Sequence, residues 1–294
     1  MSLSTKYTFI ILHYLSLKDT YKCISSINQS CKGSNYNIVV VDNASPNSSG
    51  NVLKNKYRNN PQINVILNSD NLGFAKGNNI GIEYARLNFA PEYIIVLNND
   101  IEIIQKNFLD LIAVEHKRSN FAILAPKVLS PDGSVNQYPF TPTDEVALYK
   151  QIVLNTIKIT LIKLGIYIKY LEFKNKINSS RVNVQDQSKL VRQENVVFQG
   201  SCLIFTEQYF EEYMEGFDPR TFMYKEEQLL FLRLKKGHLR TVYNPKLRVC
   251  HKTGSSTYLS AGSKKNSLLF LYTNQIKSSR VVLKELKKQE KYGT

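Results

Sequence analysis

The stretch YIIVLNNDIEI, residues 93–103, decides the fold. Four apolar residues, Ile94–Leu97, run into Asn98, Asn99 and Asp100, and the alternating Ile101, Glu102 and Ile103 follow. A short apolar run rich in Val and Ile predicts a buried strand. Open α/β sheets bind ligands outside the carboxyl ends of their strands, so Asp100 stands where a site residue would stand. A lone carboxylate there can hold a hard divalent cation against a phosphate, because such ions prefer oxygen ligands and leave positions to substrate. The same residues also read as an Asn/Asp turn that only closes the strand.

Working outward, the chain alternates strand and helix. Tyr7–Tyr14 predicts a first strand, Lys18–Ser26 a helix, and Asn37–Val41 a second strand that ends at Asp42. A helix around Val52–Arg58, a short strand at Val65–Leu67, a turn at Asn68–Gly73 and a helix at Phe74–Leu87 lead back to the strand at Tyr93–Leu97. This alternation predicts a parallel sheet with covering helices, and it puts Asp42 and Asp100 on one rim. Further on, the pattern predicts a helix at Asn107–His116, a strand at Phe121–Ala125 and a returning strand at Asn195–Phe205. Helices near Glu207–Glu215 and over Lys225–Lys236, strands at Leu239–Tyr243 and Lys246–His251, and a basic helical tail from Lys264 complete it.

The 294 residues suffice for one large α/β domain or two small ones, and the 43% hydrophobic fraction supports a full core. A formal net charge of +15 points to an anionic partner. Cys23, Cys31, Cys202 and Cys250 lack the paired spacing of a zinc site and are too sparse for a disulfide scaffold, which fits a reducing cytoplasm. The polar Met1–Lys6 and the short apolar run Phe9–Leu12 do not read as a signal peptide. No uncharged apolar segment has the length of a spanning helix. The charge alone would suit a nucleic-acid binder, but no nucleic-acid-binding motif accompanies it, so no nucleic acid is expected as partner.

Six motifs, in order, make the chain recognisable: VVVDNAS at Val39–Ser45, NLGFAKGNN at Asn71–Asn79, LNND at Leu97–Asp100, GSCLIF at Gly200–Phe205, GFDPRTFMYKEEQLL at Gly216–Leu230 and HKTGSST at His251–Thr257. With them the chain resembles family 2 glycosyltransferases, the inverting nucleotide-sugar enzymes. It is most similar to the rhamnosyltransferase-like branch that builds bacterial O-antigen and capsule. The resemblance implies an α/β GT-A fold, a Rossmann-like and mostly parallel central sheet flanked by helices. It implies a glycosyltransferase domain over residues 1–263, with a nucleotide-binding half at 1–125 and an acceptor half at 126–263. A helical insertion at about 144–194 and a basic helical tail at 264–294 complete the expected organisation.

The resemblance also assigns roles. Asp100 and His251 become the metal ligands for Mg²⁺ or Mn²⁺, which would stabilise the departing diphosphate as a Lewis acid. Asn98 stands where the family's acidic triplet usually begins, which leaves fewer charged ligands, and an imidazole suits Mn²⁺ better than Mg²⁺. The alternative for His251 is a strand-end surface histidine. Asp42 matches the position that accepts the imide N–H shared by uracil and thymine, so the donor is a UDP- or dTDP-sugar. Asn43 and Ser45 either continue that contact or form an Asx-turn. Asn71, Gly73 and Lys76 fall beside the nucleotide, as do Asn98 and Asn99. Glu226 and Glu227 match an acidic pair whose second member is the base, so Glu227 is the expected base and Glu226 a supporting group. Two acids in a helix's first turn are also favourable there without any chemistry.

Residues 144–173 interleave Ile, Leu and Tyr with Lys150, Lys158, Lys163 and Lys169. That pattern reads as an insertion packed on the sheet or as an anionic-membrane contact, to which the tail Lys284–Lys291 would add charge. The resulting expectation is a cytoplasmic enzyme, peripheral on the inner face of the membrane, that passes one sugar to a lipid-linked glycan. The rival is a catalytically inactive sugar-nucleotide-binding homologue.

Overall fold

The computed structural model describes residues 6–177, 190–252 and 263–292. Its first half is a set of parallel crossovers. Strands β1 (Tyr7–His13), β2 (Tyr36–Asp42), β3 (Ile63–Leu67) and β4 (Tyr93–Asn98) lie side by side in the order β3-β2-β1-β4, all parallel. Helices α1 (Leu17–Ser30), α2 (Ser49–Tyr57) and α3 (Gly73–Phe89) make the connections. Both faces are covered, which is why these strands read as unbroken apolar runs. Side chains alternate all the same. Phe9, Ile11, Ile38 and Val40 pack into one core, and Ile10, Val39 and Val41 into the other. The register sets His13 beside Asp42 and Leu12 beside Asn98, so the ends of β1, β2 and β4 share one rim.

The second half is mixed. It comprises β5 (Ile101–Ile103), α4 (Phe108–Ser119), β6 (Ile123–Leu129), β7 (Val135–Gln137), α5 (Glu145–Lys163) and α6 (Ile166–Ile177). Then follow β8 (Gln193–Glu194), β9 (Cys202–Thr206), α7 (Glu207–Glu212), α8 (Glu226–Lys236), β10 (Thr241–His251) and α9 (Lys264–Tyr292). The sheet continues from β4 through β9, β6 and β10 to β5. β9 runs antiparallel to both β4 and β6, and β10 is parallel to β6. The expected parallel sheet therefore holds for the first four strands, and antiparallel pairs enter where the chain returns from α5 and α6.

Two of the differences from the predicted elements have a local backbone cause. The returning strand begins only at Cys202, because Asn195 has a left-handed backbone (φ 55°) and Val197 pairs as an isolated bridge with Phe140. The two strands expected at 239–243 and 246–251 are one strand, β10, with an irregularity between Asn244 and Arg248. Pro245 has no N–H for the ladder, so it sits in that bulge.

Buried Glu115 of α4 braces this half: it accepts from Arg192 at 3.0 Å and from Asn244 Nδ2 at 2.8 Å. The last helix, α9, is packed rather than trailing. Its Val282 and Leu283 join Leu229 and Leu232 of α8 and Leu148 of α5 in a third core cluster. Ser278 Oγ donates to the Met223 carbonyl at 2.9 Å, and Arg220 bridges Asp218 to Glu285 of α9. Residues 253–257 of HKTGSST and residues 178–189 of the insertion lie outside the described residues.

Candidate active site

A cavity of about 930 Å³ opens at the carboxyl rim of the sheet. Its wall brings together Asn43, Asn71, Gly73, Asn98, Asn99, Asp100, Glu226, Glu227 and His251 from segments far apart in sequence. Asp42, Ser45 and Lys76 are not on that wall. Lys76 is exposed on a second, larger groove of about 1480 Å³ beside α3, α7 and α9. Prominent charges of that groove satisfy each other, as Arg220 and Arg233 both face Asp218.

Asp100 and His251 meet because β5 pairs antiparallel with β10, with Ile101 opposite His251. The Asp100 carboxylate lies 3.0 Å from His251 Nε2, and both residues are buried. His251 Nδ1 has no hydrogen-bond partner among the described residues. Among the described residues no group of three or more His, Cys, Asp or Glu side chains could hold a metal by itself. The donor set fits an ion completed by substrate: one carboxylate and one imidazole, with Asn98 and Asn99 on the same cavity wall. The 3.0 Å separation is a hydrogen-bond length and also roughly the edge of an octahedron with ligands at about 2.1 Å.

Asn43 is an organiser of the loop that precedes α3. Its Nδ2 donates to Asn71 Oδ1 (2.9 Å) and to the Gly73 carbonyl (3.1 Å). Its Oδ1 accepts from Asn68 Nδ2 (3.2 Å) and from Leu72 N–H (3.0 Å). The amide's two donors and two lone pairs are all engaged. Asn71 Oδ1 also accepts the Gly73 N–H at 3.0 Å. Gly73 has φ 77°, and a Cβ there would lie 2.2 Å from the Phe222 carbonyl oxygen, so the loop fixes a glycine at that point.

Asp42 is only 5% exposed. Its Oδ2 accepts the Ser45 N–H at 3.2 Å, and its Oδ1 is buried without a hydrogen-bond partner among the described residues. Ser45 Oγ in turn accepts the Leu15 N–H at 2.9 Å. Fully buried His13 lies 3.8 Å from Asp42 and bonds to Thr20 (2.6 Å) and Ser49 (2.8 Å). Burial lowers the His13 pKa to about 4, so the ring is neutral at physiological pH and its approach to Asp42 is not an ion pair. Thr20 also accepts from Asn99 Nδ2 at 3.2 Å, which joins the Asp42 end of the rim to the Asp100 end through buried polar groups.

Glu226 and Glu227 enter the cavity from the first turn of α8. Two consecutive residues in the left-handed region, Tyr224 (φ 73°) and Lys225 (φ 69°), turn the chain into that helix. Such backbone costs about 1–3 kcal/mol per residue and persists where the surroundings impose it. Glu226 is buried, with Oε1 unpartnered among the described residues. Burial, with the adjacent Glu227 charge, pushes its carboxyl up to about 8. Half-buried Glu227, also raised by burial, accepts the Gly200 N–H on Oε1 at 3.0 Å. Both carboxyls are thus held above the ordinary carboxylate range by burial, and the Gly200 N–H bond favours the charged form of Glu227.

Sequence reasoning missed the far wall. Phe222 and Phe270 stand edge to face, ring centroids 6.2 Å apart, and Asn266 and Gln275 of α9 complete that side. Only the return of α9 across α5 and α8 brings Asn266, Phe270 and Gln275 to the cavity, and no local motif signals it.

The family model for glycosyl transferase family 2 matches residues 8–213. The chain belongs to that family. A curated relative, the low-salt glycan biosynthesis hexosyltransferase Agl10 of Haloferax volcanii, is 32% identical over 151 residues, or 50% of this chain and 44% of the relative. The chain spans less than half of that relative's length. Crystal structures of S. aureus TarS 1-349 superpose with a TM-score of 0.53 at 15% identity over 95% of this chain and 70% of theirs. The complex of that protein with UDP-GlcNAc gives 0.53 at 14% identity over 97% and 72%. These likenesses show the GT-A fold of the family, with the mixed half described above.

Proposed function

We propose that this family 2 glycosyltransferase moves one sugar, with inversion, from a UDP- or dTDP-sugar to a lipid-linked glycan. The setting is bacterial O-antigen or capsule assembly at the inner face of the cell membrane. The observation that carries this is the single cavity in which the Glu226–Glu227 pair faces the Asp100–His251 pair. Chemical logic supports the assignment. Glu227 takes the proton from an acceptor hydroxyl while that oxygen bonds to the anomeric carbon and the bond to the diphosphate breaks. A nucleoside diphosphate leaves from the opposite face, so the anomeric centre inverts. Asp100 and His251 would hold Mg²⁺ or Mn²⁺, which supplies charge stabilisation for the diphosphate. Asp42 Oδ1, unpartnered among the described residues, is an acceptor suited to a base imide N–H, and the Asn43-organised loop would shape the nucleotide side.

Thermal shift against a panel of UDP- and dTDP-sugars with Mn²⁺ tests the donor, because a ligand of the folded state raises apparent stability. Transfer of the best donor to a lipid-linked acceptor then tests the reaction. Donor binding with neither transfer nor hydrolysis would favour the inactive sugar-nucleotide binder. No shift with any donor would overturn both.

A further inference from the structure

Helix α5 is apolar on two opposite faces. Leu148, Asn155 and Ile162 are buried on the side that packs along α9 and α8. On the other side Val146, Tyr149, Val153, Ile157 and Leu164 are 61, 47, 57, 50 and 66% exposed. Their spacing returns them to one stripe of the helix surface. Ile166 and Tyr170 of α6 extend the exposed apolar surface beyond α5. Isolated exposed apolar residues are ordinary, whereas a continuous stripe of this kind marks a contact surface.

Charge identifies the partner. Between residues 146 and 171 the chain has Lys150, Lys158, Lys163 and Lys169 and no Asp or Glu. Lys150, Lys163 and Lys169 are exposed. Lys287 of α9 reaches over the Tyr149 ring, 5.5 Å from its centre, and adds a cation at the edge. A second copy of the chain on this face would set lysines against lysines. An anionic bilayer matches both halves of the pattern: apolar side chains enter the acyl boundary while ammonium groups reach the lipid phosphates. No helix among the described residues is long and apolar enough to cross a membrane, so the contact is at the surface.

We propose that the outward face of α5, continued by α6, docks on an anionic membrane surface. This rests on the reading of a lipid-linked acceptor and locates where the lipid meets the chain. α9 contributes charge but not the apolar contact: none of the exposed large apolar side chains among the described residues belongs to it. Its role is to join the two sites. Asn155, on the buried face of α5, donates to Gln275 of α9 at 2.9 Å, and Gln275 lines the catalytic cavity. The docking face thus lies one helix behind the wall that holds Phe270 and Asn266, which sets the cavity close to the bilayer surface where such an acceptor resides.

Co-sedimentation of the full chain with phosphatidylcholine vesicles, and with mixed phosphatidylcholine–phosphatidylglycerol vesicles, tests this. Binding should appear on the anionic vesicles and weaken with salt, because screening shortens the reach of charge to about 8 Å at physiological ionic strength. The double substitution Val153→Glu and Ile157→Glu alters exposed positions, so the fold should persist, checked by an unchanged melting temperature and donor-induced shift. It should weaken anionic-vesicle binding by at least about tenfold, the scale expected from losing two apolar contacts. Equal binding to both vesicle types, no binding to either, or a concentration-dependent dimer that the double variant abolishes would each overturn the proposal. Intact donor binding beside failed docking leaves the transferase reading standing, and the converse leaves the membrane surface standing without it.

Discussion

The carboxylate of Glu227 accepts the backbone N–H of Gly200 at 3.0 Å, across a gap where a Cβ on Gly200 would come within 2.5 Å of the same oxygen. The glycine of the GSCLIF motif is therefore matched to the acid of the KEEQLL motif. Gly200→Ala should leave the chain folded, since the clashing atom is the end of a side chain that can swing away. It should displace the carboxylate and lower transfer, with nucleotide affinity unchanged. Glu227→Gln keeps shape and removes basicity, and should cost about 10²–10⁴-fold in kcat. Steady-state kinetics beside nucleotide titration checks both. A Gly200→Ala enzyme with full activity would separate Glu227 from the reaction.

Glu226 makes a stability prediction whose sign follows from its burial. Its carboxyl is raised from 4.5 to about 8, chiefly by desolvation and then by the Glu227 charge. The folded protein keeps that proton where the unfolded chain has lost it. Between about pH 4.5 and 8 the unfolded state binds fewer protons at this residue, so its contribution to stability falls as pH rises, then levels off above the folded value. Glu226→Gln removes this penalty. The variant should gain melting temperature over the parent as pH climbs from about 5 to about 8, with the gap constant above that. Transfer should fall less than in Glu227→Gln. A gap that narrows with rising pH would show that Glu226 is charged in the folded state.

Asp100 and His251 predict a metal requirement that two protein ligands cannot meet alone. Asp100→Ala should abolish metal-dependent transfer while the melting temperature shifts only slightly. Mn²⁺ should support more activity than Mg²⁺, because imidazole favours the former. Metal should bind tightly only with the nucleotide present, since the diphosphate supplies the missing ligands. Calorimetric titration of Mn²⁺ with and without UDP checks this. Strong binding to the chain alone would point to further ligands.

Much of the parallel half was legible because each strand is an apolar run closed by a polar residue at the rim. Tyr93–Asn98 followed by Asp100 is the clearest case. The meeting of Asp100 with His251 was legible only as a family pattern, since nothing local links strand ends so far apart in sequence. The orientation of β9 was not legible: an apolar strand looks alike in either direction, and tertiary pairing with β4 and β6 decides it. The tail read as basic, yet α9 buries Ser279, Val282 and Leu283, because its lysines fall on the outer face and its small and apolar residues on the inner one. Asn43 and Asp42 show the finest limit. Adjacent in sequence, they part at the strand's end: Asp42 closes β2 beside His13, and Asn43, the first residue beyond it, bonds to the loop before α3.

That difference in partners separates their expected effects. Asn43 holds Asn68, Asn71, Leu72 and Gly73 through four hydrogen bonds, so Asn43→Ala should loosen the loop before α3. Removing one partner of a buried hydrogen bond costs about 1–3 kcal/mol, so the melting temperature should fall even without ligand. Nucleotide affinity should fall with it, as the loop loses its shape. The Asp42 carboxylate accepts one backbone N–H, from Ser45, and its second oxygen has no hydrogen-bond partner among the described residues. Asp42→Ala should therefore weaken UDP or dTDP binding by about 1.5–3 kcal/mol, the range for a hydrogen bond to a charged group, with a smaller change in melting temperature. The chemical step should be nearly untouched once donor is saturating. Calorimetry of both variants beside their unliganded melting curves discriminates the two residues. If Asp42→Ala binds nucleotide as tightly as the parent, its buried carboxylate serves the β2–α2 turn and the base is recognised elsewhere on the rim.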